Sequence, residues 1–101
     1  MQLRLDERTK SEFDEALRYY ATADDDDVGR AFRRHTQELL IGIAEHPFRW
    51  RLISKRVRRC LYPRRFPYVI HYQVCLDHVR VLSIKHTSRH PNAWKDSVTK
   101  K

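Results

Sequence analysis

The sequence predicts a small single-domain α+β protein of order β-α-α-β-β-β-β, with two antiparallel helices packed on one face of a mostly antiparallel sheet. Three observations predict it. Apolar residues recur at helical spacing in two stretches before Pro47, they recur at spacing two in four stretches after it, and the connections between those strands are too short for anything but antiparallel neighbours. At 101 residues the chain can bury roughly two-thirds of its unfolded surface in one core, and it is too short for two.

The opening Gln2-Leu3-Arg4-Leu5 alternates polar and apolar residues and reads as a short strand, ended by Asp6, a good helix N-cap. A helix from Glu7 to about Ala23 then sets Phe13, Ala16, Leu17 and Tyr20 on one face at i, i+3, i+4 and i+7. Four aspartates, Asp24 to Asp27, supply carboxylates to cap a second helix and to meet the positive end of its dipole. They do not have the spaced oxygens, central glycine and distal glutamate of a calcium loop. The second helix runs from about Val28 to Glu45 with Val28, Phe32, His35, Leu39 and Ile43 on one stripe, and Pro47 prevents its continuation.

Beyond Pro47 strands are expected at Phe48–Arg51, Val57–Tyr62, Phe66–Val74 and Val79–His86, with reversals at Pro63 and at Cys75-Leu76-Asp77-His78. In the third of these, Tyr68, Ile70, Tyr72 and Val74 share one face, while Val69, His71 and Gln73 share the other. The domain thus divides into a strand and two helices (1–47), four strands (48–90) and a tail (91–101), within one unit spanning 1–101.

Charge is distributed unevenly along the chain. Residues 1–47 carry 11 acidic and 7 basic side chains, whereas residues 48–101 carry 2 acidic and 14 basic ones. The first part has a net charge of −4 and the second +12, giving the total of +8. Such asymmetry implies a positive face that attracts phosphates or carboxylates from a distance. Cys60 and Cys75 stand alone, with no zinc spacing, and read as buried thiols; no metal and no cofactor is expected. The longest apolar run, Leu39 to Ala44, falls far short of the ~20 residues that span a bilayer, and no apolar signal core comes after Met1. A cytoplasmic protein without a membrane partner is expected.

Several groups of residues carry a resemblance across nearly the whole chain. They are Glu12-Phe13 with Tyr19-Tyr20, Pro47, Arg58 ahead of Arg65-Phe66-Pro67-Tyr68 with Ile70 and Tyr72, and His86-Thr87-Ser88-Arg89-His90-Pro91 with Trp94. With them the sequence resembles the RelE/ParE superfamily of bacterial toxins from type II toxin–antitoxin modules. The Phe-Pro-Tyr strand and the His-x-x-Arg-x-Pro tail resemble the ParE-like, plasmid-stabilisation branch most closely.

The resemblance implies one of two activities. RelE-like members cut messenger RNA on the ribosome; ParE-like members block DNA gyrase without cleaving anything themselves. A metal-free nuclease needs a base, an acid and cations for the phosphorane charge, roles open to His86 and His90 with Arg89 and Arg58. RelE-like nucleases carry an arginine just after the last strand and a tyrosine near the C-terminus. The corresponding places here hold Thr87 and Trp94, and an indole cannot exchange a proton as a phenol does. The gyrase reading is therefore favoured. On that reading Arg58, Arg59, Arg64, Arg65, Arg89 and Trp94 bind partners, and no intrinsic catalysis is needed. A non-toxic module serving only as co-repressor is the third expectation. In each case the implied partner is an antitoxin with an acidic, partly disordered segment, forming a hetero-oligomer with the toxin and neutralising its positive face.

Overall fold

The computed structural model describes residues 1–22 and 26–88. The elements are β1 (Gln2–Leu5), α1 (Glu7–Ala21), α2 (Asp26–Glu45), β2 (Arg51–Leu52), β3 (Val57–Leu61), β4 (Tyr68–Val74) and β5 (His78–His86). They form one five-stranded sheet in the order β1-β5-β4-β3-β2. The strands from β2 to β5 pair antiparallel, and β1 lies parallel to β5 with Leu3 opposite Val79 and Leu5 opposite Val81. The expected class, two helices over a mostly antiparallel sheet, is the one observed.

Helix α1 starts where Asp6 accepts a hydrogen bond from the Thr9 amide at 2.8 Å. Burial works against the Asp6 charge, but that bond and the guanidinium groups of Arg80 and Arg8 hold its carboxyl below the usual carboxylate range. The helix ends at Ala21, two residues short of expectation, because Thr22 turns back on it: its amide donates to the Arg18 carbonyl and its hydroxyl to the Tyr19 carbonyl, both at 3.0 Å. Helix α2 begins at Asp26, so Asp26 and Asp27 belong to its first turn and do not precede it. The Asp27 carboxylate, in that first turn, meets the same partial positive charge as a cap does.

The core is aromatic and centres on Phe32, which has no exposed surface. Tyr62 stacks on it at 5.1 Å between ring centroids, and Tyr20, Phe66 and Tyr68 surround it at 5.0 to 5.4 Å. Tyr62 keeps its hydroxyl paired with Thr36 at 2.6 Å, as a phenol removed from water must. On β4, Tyr68, Ile70 and Tyr72 face this core as the alternation predicts.

A bulge in β5 keeps its side chains in phase with the core. His71 pairs with Ser83, but the next residue, Tyr72, pairs with Val81, so Leu82 is the extra residue. Val79 and Val81 point to the helices before the bulge and Ile84 after it, while Leu82 packs with Val57 and Ile53 on the opposite face. Strict alternation would have put Ser83 in the core.

Two strand expectations are corrected. The stretch 48–51 is not a strand, since pairing begins only at Arg51. The carbonyls of Phe48 and Trp50 are taken by the Arg58 side chain at 3.3 and 2.8 Å, and the Pro47 carbonyl by the Tyr72 hydroxyl at 2.7 Å, so this backbone is bonded by side chains and not by a ladder. Trp50 is pressed against α2 at Gly42, where a Cβ would lie 3.0 Å from its ring. Strand β4 begins at Tyr68, not Phe66: the Phe66 amide closes a turn onto the Pro63 carbonyl at 2.8 Å, and Pro67 has no amide to give. Of the two cysteines Cys60 is buried as expected, its thiol pushed up to about 12 by desolvation, but Cys75, at the β4–β5 reversal, is only half-buried.

Candidate functional site

The two long edges of the sheet are finished in different ways. Strand β1 covers β5 only as far as Val81, and α1 covers the remainder of that strand. The Thr9 hydroxyl reaches the carbonyls of Val81 and Leu82 at 3.3 and 3.4 Å, and Glu12 Oε1 accepts the Ile84 amide at 3.1 Å. These two side chains stand three apart on one helix face, so a single helix supplies both a donor and an acceptor to the strand. Glu12 Oε2 lies 3.2 Å from Lys85 Nζ and 3.4 Å from Arg8 Nε, close in charge but without hydrogen-bond geometry to either. A cleft of about 360 Å³ opens beside it, lined in part by Arg18, Tyr19, Lys85 and His86.

The opposite edge is made by β2 and β3. Strand β2 is two residues long, with Arg51 opposite Arg59 and Leu52 opposite Arg58. Between positions 49 and 65 lie eight cations and no carboxylate: Arg49, Arg51, Lys55, Arg56, Arg58, Arg59, Arg64 and Arg65. None of them makes an ion pair with a described residue. Three rest on aromatic rings: Arg49 over Trp50 at 5.4 Å, Arg58 over Phe48 at 5.2 Å and Arg65 over Phe66 at 4.8 Å. Arg59 lies on the face away from the helices, opposite His71. Burial, and then the charge of Arg59, lower the His71 imidazole to about 4, so it is neutral at pH 7; its Nδ1 lies 3.3 Å from the Ser83 hydroxyl.

The residues singled out in the sequence fall into three groups. Arg59, Arg64 and Arg65 belong to the cationic edge. Arg58 sits on β3 as well, but it is half-buried and its guanidinium serves the carbonyls that lead into β2. His86 ends β5 on the far side, edge-on to Tyr68 at 5.5 Å, with its Nδ1 accepting the Ser88 amide at 3.1 Å. Arg89, His90 and Trp94 lie outside the described residues.

Arg58 and His86 are not brought together. Arg58 is level with Tyr72 and Val81, and His86 with Tyr68. That places their backbones two strands and four residues of β4 apart, roughly 16 Å, and the Arg58 guanidinium turns further away, onto the Phe48 and Trp50 carbonyls, so the two do not meet at one phosphate. Glu12 and Thr9 were not recognised as edge residues, although two polar groups at i and i+3 beside the apolar stripe of α1 were the signal available. Arg51 was likewise missed; only the strand register sets it against Arg59.

Two helices lie over one face of this sheet and its last strand returns beside β1, a small α+β fold that the comparisons share. The family model described as ParE toxin of type II toxin-antitoxin system, parDE, matches residues 3–91. The chain therefore belongs to the ParE family of toxins from type II toxin–antitoxin modules, which implies an antitoxin partner. No curated protein sequence matches it. Among solved structures it is similar to a chain of the chromosomal ParDE toxin–antitoxin system from P. aeruginosa, with a TM-score of 0.71 and 15% identity over 85% of this chain and 95% of that one. At that identity the likeness shows the fold. Among the described residues, no helix is long and apolar enough to cross a membrane.

Proposed function

We propose that this toxin arrests growth in the cytoplasm by blocking DNA gyrase, acting through binding and not catalysis, and that an acidic, partly disordered segment of its antitoxin masks the cationic half of the sheet when the toxin is idle. The observation that carries the reading is the separation of Arg58 from His86. A nuclease site built on both needs them at one phosphate. The family membership and an edge whose cations have no ion-pair partner among the described residues support the same view. Steering by that edge makes antitoxin association fast and sensitive to salt.

Purified toxin added to gyrase tests the target. Supercoiling activity is expected to fall, or cleaved complexes to accumulate, in proportion to toxin; no effect at excess toxin contradicts the proposal. Pulse labelling after induction should show DNA synthesis failing first. Early loss of protein synthesis with cuts positioned by codon would instead indicate a ribosome-dependent endoribonuclease, and unimpaired growth a co-repressor without toxicity.

A further inference from the structure

The cationic edge has a feature that a protective coat of surface charge does not need. Arg51 and Arg59 are directly opposite in register and project to the same face, where like charges about 5 Å apart at Cβ destabilise the pair. No described carboxylate relieves them. An anion bridging the two guanidinium groups does, and arginine forks fit phosphate oxygens. Further cations stand at both ends of β3, Lys55 and Arg56 before it and Arg64 and Arg65 after it. The strand between them is about 17 Å long, which spans about five base steps at 3.4 Å each.

We propose that the β2–β3 edge, with Arg51 and Arg59 at its centre and Lys55, Arg56, Arg64 and Arg65 at its ends, docks on the phosphate backbone of duplex DNA. Duplex is favoured over single strands because, among the described residues, the face that carries Arg51 and Arg59 offers no stacking platform: Phe48, the exposed ring near this edge, lies under the Arg58 guanidinium at 5.2 Å, on the helix side of β3. Single-strand binders place aromatic rings against the bases, whereas Tyr62, Phe66, Tyr68 and Tyr72 are buried in the helix-side core, and Leu61, exposed beside Arg59, is aliphatic. The contact reads no base and gives affinity without sequence preference. It deepens the gyrase reading, on which it rests only for where such DNA is met.

The test is fluorescence anisotropy of a labelled duplex with the whole chain alone, at low and rising salt. Arg51→Ala with Arg59→Ala should weaken binding at least tenfold and reduce the slope of log affinity against log salt by about 1.8, near 0.9 per lost phosphate contact. Arg18→Ala with Arg33→Ala, which removes the same charge from the helices, should change affinity less than threefold. Lys55→Ala with Arg56→Ala, outside the strand ladder, should weaken binding severalfold and provides the same test should the first pair disturb folding by circular dichroism. Absence of duplex binding by the wild type, equal losses from the edge and helix pairs, or tighter binding of single-stranded RNA or poly-glutamate overturns the proposal. Because gyrase is absent, its failure leaves gyrase inhibition to be judged separately.

Discussion

The β5 edge and the β2–β3 edge carry charge for opposite purposes. At β5, Glu12 gives one oxygen to the Ile84 amide and lies with the other between Lys85 and Arg8, so each charge there has a counterpart and the strand's exposed backbone is closed. At β2–β3 the arginines have no carboxylate among the described residues, and two of them are held against each other. The first arrangement stabilises the fold. The second costs stability, and no carboxylate among the described residues relieves its repulsion. Charge alone does not mark a partner surface; like charges held together by register, with no carboxylate beside them among the described residues, do.

Removing Glu12 should have the largest effect. Glu12→Ala leaves the Ile84 amide without its acceptor and the Lys85 ammonium without its counter-charge in a half-closed site, and should lower unfolding free energy by about 3 kcal/mol in denaturant titration. Glu12→Gln, which can still accept the amide hydrogen, should recover part of it. A loss below about 0.5 kcal/mol from Glu12→Ala would put the β5 edge on the same footing as the β2 edge.

Acid sharpens the contrast next. His71 is neutral in the folded chain down to about pH 4, while in the unfolded chain it takes up a proton near 6.5. The unfolded state therefore binds more protons between these values, and stability falls as pH drops from 6.5 towards 4, by roughly 3 kcal/mol at most. His71→Gln should flatten that part of the profile. Arg59→Ala, removing the smaller of the two causes, should reduce the slope only slightly.

Smaller effects are expected at Thr9 and Gly42. Thr9→Val keeps the shape but loses the hydroxyl contacts to Val81 and Leu82, for a loss of about 1 kcal/mol. Gly42→Ala forces the Trp50 ring to move from where a Cβ would stand 3.0 Å away, and should cost about 1 kcal/mol. Because Trp50 leads into β2, its fluorescence should shift in that variant; an unchanged spectrum would mean that the helix and the cationic edge are not mechanically connected.

Much of this fold was legible before the structure, because period and punctuation act locally. Asp6 as cap, Pro47 as stop and the faces of β4 come from rules that need only neighbouring residues. The misplaced strand at Phe48–Arg51 shows the limit: its alternation is real, but its carbonyls are claimed by Arg58, ten and eight residues further on. The bulge at Leu82 left a trace in the adjacent apolar pair Val81-Leu82, which alternation alone does not explain. The site was less legible. Excess positive charge could be counted, but its meaning depends on which strands pair, and the sequence does not state that Arg51 meets Arg59 or that Arg58 stands apart from His86.

Stability and toxicity measured in one variant separate a partner surface from a structural one. Arg51→Ala with Arg59→Ala should leave the thermal midpoint unchanged or raise it slightly, since surface substitutions usually stay within about 0.5 kcal/mol and this pair removes a repulsion, while growth arrest on induction is lost. A collapsed midpoint, or full growth arrest at equal expression, would contradict the assignment of these charges to a partner.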